Sequence, residues 1–143
     1  MPKQKAELIA GGLFNDERGR ISFVNSFAFL DIKRFYIVQN KGINFLRGWN
    51  FHRTESKFFY ALIGVFKIGI VEAGSDGQLP DRNHKPQFFI LEASRPSILA
   101  IPPMHANMVI NLTEGAQLLI FSDMNVENSI EEKIRIPKDH WVI

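Results

Sequence analysis

The chain has 143 residues, 45% of them hydrophobic and 22% charged, and carries a net charge of +2. That length supports one domain with one core, and the scattering of Lys and Arg excludes a nucleic-acid stripe or a membrane-surface patch while suiting a small anionic ligand. With no cysteine present, disulfides, thiolate nucleophiles and thiolate metal sites are excluded.

From the N-terminus, MPKQKAELIAGG lacks the apolar core of a signal peptide. The longest apolar run, residues 58–66, is far short of the roughly 20 needed to span a bilayer. The expectation is a cytoplasmic protein with neither membrane nor nucleic acid among its partners. Short segments rich in Val, Ile, Phe and Tyr, cut by Gly, Pro, Asn or Asp, predict strands. They lie at Ile21–Val24, Ile32–Val38, Phe45–His52, Lys57–Ile63, Val65–Val71, Gln87–Leu91, Ser97–Ile101, Met108–Asn111 and Gln117–Phe121. Gly64 marks a sharp turn between two of them, and Pro102-Pro103 ends another. The polar stretch Gly74–Pro86 reads as a solvated loop, with His84 exposed in it and His140 exposed near the end. In the tail, Ile134, Ile136, Trp141 and Val142 among charges predict a last strand or short helix packed on the rest. So many short strands imply a sandwich or barrel.

Five segments in order carry a family resemblance. Phe14-Asn15-Asp16-Glu17-Arg18-Gly19 resembles the F-x-D-x-R-G opening of the dTDP-4-dehydrorhamnose 3,5-epimerases, and Ile32-Lys33-Arg34-Phe35-Tyr36 resembles the next strand of their sugar 3,4-ketoisomerase, WxcM-like relatives. Arg47-Gly48-Trp49-Asn50-Phe51-His52 is similar to R-G-aromatic-H-x-H, with Lys57 on the lysine that follows. Ile101-Pro102-Pro103-Met104-His105-Ala106-Asn107 resembles I-P-x-G-aromatic-A-H/N, and Leu119-Ile120-Phe121-Ser122-Asp123 resembles a closing F-S-D. The resemblance implies an all-β double-stranded β-helix, the cupin or jelly-roll barrel. It gives a single domain over 1–143 with its barrel at about 14–125 and a tail at 126–143. It also implies a homodimer, no cofactor and no metal, and a nucleotide diphospho-sugar in the barrel mouth.

The chemistry implied is proton abstraction next to the ketone of a dTDP-linked 4-keto-6-deoxy sugar, followed by epimerisation or keto migration, in surface polysaccharide synthesis. The catalytic candidates are His52 as base and Lys57 as the cation beside the enediolate; a core histidine and an exposed strand lysine are the alternatives. Asn50 stands where the epimerases keep their base, and Phe121 is read as replacing their general-acid tyrosine. Asn50 and His52 are expected on one inward strand face. Substrate-binding candidates are Arg18 and Arg47 on the diphosphate, Tyr36 against the base, and Asn50, Asn107 and His105 in the pocket. Arg34 is a third diphosphate candidate, for which an unpartnered surface arginine is the preferred alternative. Two other classes stay open: a cupin that binds a sugar nucleotide without turnover, and a metal-dependent cupin using His52, Glu55 and His105.

Overall fold

The computed structural model describes residues 4–74 and 76–143. Twelve strands and one short helix follow in order: β1 (Glu7–Ala10), β2 (Gly12–Asp16), β3 (Gly19–Phe23), β4 (Arg34–Val38), β5 (Leu46–His52), β6 (Lys57–Ile63), β7 (Val65–Glu72), β8 (Gln87–Glu92), β9 (Ser97–Ile101), β10 (His105–Asn111), β11 (Gln117–Ser122), α1 (Val126–Glu132) and β12 (Ile134–Arg135). Two antiparallel five-stranded sheets, β1-β9-β6-β11-β4 and β12-β5-β10-β7-β8, face each other as the jelly-roll barrel of a double-stranded β-helix, and β2-β3 stands apart as a hairpin.

Every strand expected from the sequence is present within a few residues at its ends. β1 and β2 were not foreseen. β1 is four residues long and mostly exposed, and its place is set by pairing Glu7–Ala10 against Ser97–Ala100 rather than by its own pattern. The barrel therefore begins before residue 14. The tail also does more than cover: β12 pairs Ile134 with Phe51 and Arg135 with Asn50 at the edge of the second sheet.

Side-chain alternation divides the apolar residues into two cores. Phe59, Phe66, Ile68, Leu91, Leu99, Leu118 and Ile120 pack between the sheets. Trp49, Phe51, Val71, Ala106 and Met108 face the other way and are sealed by Ile136 and Trp141 from the tail. Gly64 makes the β6–β7 turn at φ +80°, where an added Cβ would lie 2.7 Å from that of Ala116, so glycine is required there.

Candidate functional site

Rows of inward side chains cross the first sheet from β4 through β11 to β6. Register places Arg34, Ser122 and Lys57 in one row and Tyr36, Ile120 and Phe59 in the next. Phe35, Phe121 and Phe58 form an outward row, where Phe121 meets Phe29 and Phe35 at centroid distances of 4.9 and 6.4 Å. The reading of Phe121 as the replaced acid position is thereby corrected. Strand parity turns it away from the cavity, and its inward neighbour is Ile120, which has no proton to give.

On β5 one irregularity matters. Asn107 pairs with Asn50 but Met108 pairs with Gly48, so Trp49 is the extra residue of a bulge. Strict alternation puts Arg47 and Asn50 on opposite faces, and the bulge brings both to the cavity. Gly48, at φ +127°, leaves no room for a side chain: a Cβ would lie 2.8 Å from the Asn107 carbonyl oxygen.

The cavity they line has a volume of about 650 Å³. Its walls carry six cations, Arg34, Arg47, Lys57, Lys133, Arg135 and Lys138, and no carboxylate among the described residues. Tyr36, Asn50 and Asn107 are the polar neutral groups between them. Lys57 Nζ donates to the Tyr36 hydroxyl at 2.9 Å, and the Arg34 guanidinium lies 4.9 Å from the Tyr36 ring centre. Arg47 Nε donates to Asn40 Oδ1 at 3.0 Å, and Asn40 is buried and donates in turn to the Phe45 carbonyl at 3.1 Å.

Behind this wall sits a buried polar network. His52 is 2% exposed, and its Nδ1 lies 3.2 Å from both Glu55 Oε1 and Glu132 Oε1, which makes Nδ1 the donor. His52 Nε2 is buried without a partner. Glu55 also accepts from Ser129 Oγ at 2.6 Å, from Arg34 at 3.1 Å and from Ser122 Oγ. Burial pushes the Glu55 carboxyl up, but donation from His52, Ser122 and Ser129 outweighs it and holds the group at about 2. Glu132 comes from α1, which starts where Asn125 caps the Asn128 amide, and its second oxygen takes the Arg53 amide at 2.8 Å. Donor atoms of His52, Glu55 and Glu132 lie within 4.8 Å of one another, the one such group of metal-ligating side chains among the described residues. A cation there would have to displace hydrogen bonds from Ser122, Ser129, Arg34 and the Arg53 amide.

Tyr36, Arg47, Asn50, Lys57 and Asn107 are thus brought together on one cavity, with His52 in the layer behind it. His105 lies elsewhere: its Nδ1 faces the Pro102 and Pro103 carbonyls at 3.1 and 2.9 Å, and it lines a separate small hollow with Glu72 and Lys85. The donor set His52, Glu55 and His105 is therefore not assembled, Glu132 holding the third place. Arg18 is on the β2–β3 hairpin, largely exposed and paired with Asp16 at 2.6 Å, outside the cavity. Arg34 is not an unpartnered surface residue, since it joins Glu55 to the cavity. His84 is half-buried against Asp81, and His140 packs on Trp141 with Nε2 buried, so neither is freely exposed.

Sequence reasoning passed over Lys133, Arg135 and Lys138. The signal was present in Lys133-Ile134-Arg135-Ile136, an alternation of basic and apolar residues that is a strand pattern with a cationic face. Burial and the nearby charges of Arg135, Lys57 and Arg34 lower the Lys133 pKa, and the opposing charge of Glu55 only partly offsets them.

Solved structures share this fold at low sequence identity, among them the following three. QdtA, a sugar 3,4-ketoisomerase from Thermoanaerobacterium thermosaccharolyticum in complex with TDP, aligns with a TM-score of 0.72 at 21% identity over 95% of this chain and 91% of that one. A 3,4-ketoisomerase from Helicobacter canadensis aligns with 0.69 at 21% over 94% and 92%. The dTDP-4-dehydrorhamnose 3,5-epimerase of Bacillus anthracis, with TDP and PPi bound, aligns with 0.77 at 18% over 94% and 82%. A search of the curated proteins gives no match. The family described as WxcM-like, C-terminal (FdtA) matches residues 4–135, from β1 to β12 and therefore across both walls of the cavity. By that match the chain belongs to the WxcM-like, C-terminal (FdtA) family.

Proposed function

We propose that this protein binds a dTDP-linked 4-keto-6-deoxy sugar in the barrel mouth and isomerises it by proton transfer next to the ketone, in the cytoplasm, for surface polysaccharide synthesis. The observation that carries the reading is the cavity of about 650 Å³ walled by six cations and no carboxylate, with Tyr36 and Lys57 in contact on one wall. Such a wall suits a diphosphate, because guanidinium and ammonium groups replace the hydration that the anion gives up. TDP-bound ketoisomerase and epimerase structures of the same fold support the choice of ligand.

The steps follow from the geometry. With Nδ1 held by Glu55 and Glu132, His52 has Nε2 free to take the C3 proton, and the electron pair of that bond moves onto the C4 oxygen. Tyr36 donates to that oxygen, and Lys57 stabilises the phenolate left behind. The Tyr36 phenolate then takes the O3 proton as the C3 carbonyl forms, and the protonated His52 returns its proton to C4, which completes keto migration and restores both side chains. Since His52 is 2% exposed, a small outward movement of the side chain or wall must accompany substrate binding.

A binding protein without turnover is the second reading, favoured by one observation: Asn50, not a base, is the strand residue that faces the cavity, while His52 lies behind it. Incubation with dTDP-4-keto-6-deoxyglucose in heavy water separates the two. Exchange of a sugar proton beside the carbonyl, abolished in His52→Asn and reduced at least a hundredfold in Tyr36→Phe while dTDP still binds, supports the isomerase. Binding of the nucleotide sugar without exchange at several pH values supports the second.

The assembly proposed is a homodimer. Phe35 and Ile37 on β4 are 65% and 50% exposed on the outer face of the first sheet, beside Phe29 and Leu30 at 60% and 76%. A contiguous apolar face of this kind is usually covered by protein.

A further inference from the structure

Asn111 is 1% exposed at the end of β10 and lines no part of the cavity. Its backbone carbonyl accepts from the Asn44 amide at 2.8 Å, its Oδ1 accepts from the Phe45 amide at 3.1 Å, and its Nδ2 donates to the Gly42 carbonyl. Asn111 thus pins the 39–45 crossover from β4 to β5, which turns through Gly42 at φ +70° and Asn44 at φ +59°. Because the Phe45 amide donates and the Gly42 carbonyl accepts, the Asn111 side chain has one orientation open to it, with its oxygen toward Phe45.

That orientation fixes the next amide. Asn40, 6% exposed, meets two acceptors, the Phe45 carbonyl at 3.1 Å and Asn111 Oδ1 at 3.3 Å, and both Nδ2 hydrogens are used on them. Its Oδ1 is left over from holding the loop, and it accepts from Arg47 Nε at 3.0 Å. This is the one side-chain hydrogen bond of Arg47 among the described residues, so both Nη groups stay free for a ligand in the cavity that Arg47 lines. An exposed arginine with no partner samples many rotamers, and an anion that binds it must first immobilise it. A carboxylate at position 40 would also hold Nε, but it would offset the guanidinium charge and leave the Phe45 carbonyl without its donor. A neutral amide holds Arg47 and leaves its charge to the ligand.

We infer that Asn40 and Asn111 are positioning residues that act through Arg47, presetting its guanidinium so that both Nη groups meet phosphate oxygens. Neither residue lines the cavity. The inference rests on the nucleotide-sugar reading and deepens it, because it names what prepares a diphosphate contact before the ligand arrives.

Calorimetric titration of the purified full chain with dTDP, run as a double-mutant cycle, tests it. Asn40→Ala is expected to weaken dTDP roughly three- to tenfold, the range for a long side chain that must be ordered on binding. The same substitution made in Arg47→Ala is expected to change the affinity by less than about twofold, since no guanidinium is left to position. A role in the loop alone would weaken dTDP by the same factor in both backgrounds, and that result overturns the inference. Unchanged affinity in Asn40→Ala overturns it too and leaves the nucleotide-sugar reading standing. Asn111→Ala follows the same rule, and a loss that persists in Arg47→Ala removes Asn111 from the assignment. Arg47→Lys leaves both buried asparagines in place. A lysine has neither an Nε for Asn40 to hold nor a fork to present, so affinity should fall nearly as far as in Arg47→Ala, and native affinity in Arg47→Lys overturns the inference. Failure of the native protein to bind dTDP overturns the nucleotide-sugar reading and the inference together.

Discussion

Glu55 shows how much of the site depends on single side chains that touch no solvent. Its carboxyl is held at about 2 in the folded protein against an ordinary 4.5, so it binds fewer protons folded than unfolded. The stability it contributes is complete above pH 4.5 and is lost as pH falls from there toward 2, on the order of 3 kcal/mol over the window. Melting curves at pH 5 and pH 2.5 should show a larger drop in Tm for the native protein than for Glu55→Gln. The glutamine variant should also be less stable at pH 7, since it leaves His52 and Arg34 without their shared anion. Gly48 is the backbone counterpart. Gly48→Ala places a Cβ against Asn107 and Met108, and should lower both stability and dTDP affinity because the bulge that turns Arg47 inward is lost.

Among the elements, the segment after β11 carries most of what distinguishes this barrel. α1 supplies Ser129 to Glu55 and Glu132 to His52, β12 extends the second sheet, and Trp141 closes over the outer core. Trp141 is 4% exposed, meets Trp49 edge-on at 4.8 Å, and donates Nε1 to the Asp81 carbonyl at 2.9 Å, which ties the 74–86 loop to the barrel. Truncation to Trp141→Ala should cost about 3 kcal/mol in urea unfolding, the usual penalty for emptying a buried aromatic site. It should also weaken ligand binding, because Lys133, Arg135 and Lys138 are carried on the same segment.

At the scale of the whole molecule, the placing of Arg18 and the outer face of the first sheet belong together. Arg18 sits on a hairpin whose Phe14 and Ile21 are 53% and 57% exposed, away from the chain's own cavity. If Arg18 binds nucleotide, it does so in a neighbouring subunit. Sedimentation at micromolar concentration should therefore give a dimer, and Phe35→Glu should shift it to monomer by charging the outer face. Arg18→Ala should lower dTDP affinity severalfold and flatten its salt dependence in the dimer. A monomer, or an Arg18→Ala protein with unchanged affinity, removes the assignment.

The amino-acid sequence by itself determined the class and most of the strands, because short runs of β-branched and aromatic residues cut by turn formers leave little else for the chain to do. It also determined which side chains are available for chemistry: one histidine on the R-G-x-N-x-H strand, a tyrosine at 36, a lysine at 57, and no thiol. Tertiary structure alone decided which of them meet. Local alternation fixes inside against outside only while a strand is regular, so Arg47 beyond the Trp49 bulge was not legible from spacing, and which face of the regular β11 turns inward, and with it the outward Phe121, was set by the packing of the sheets. Glu132 reaches His52 across 80 residues, and Lys133, Arg135 and Lys138 reach the same cavity as Arg47 because β12 pairs with β5. Such contacts are set by how the two sheets and the final segment close on one another, and no local pattern encodes that closure.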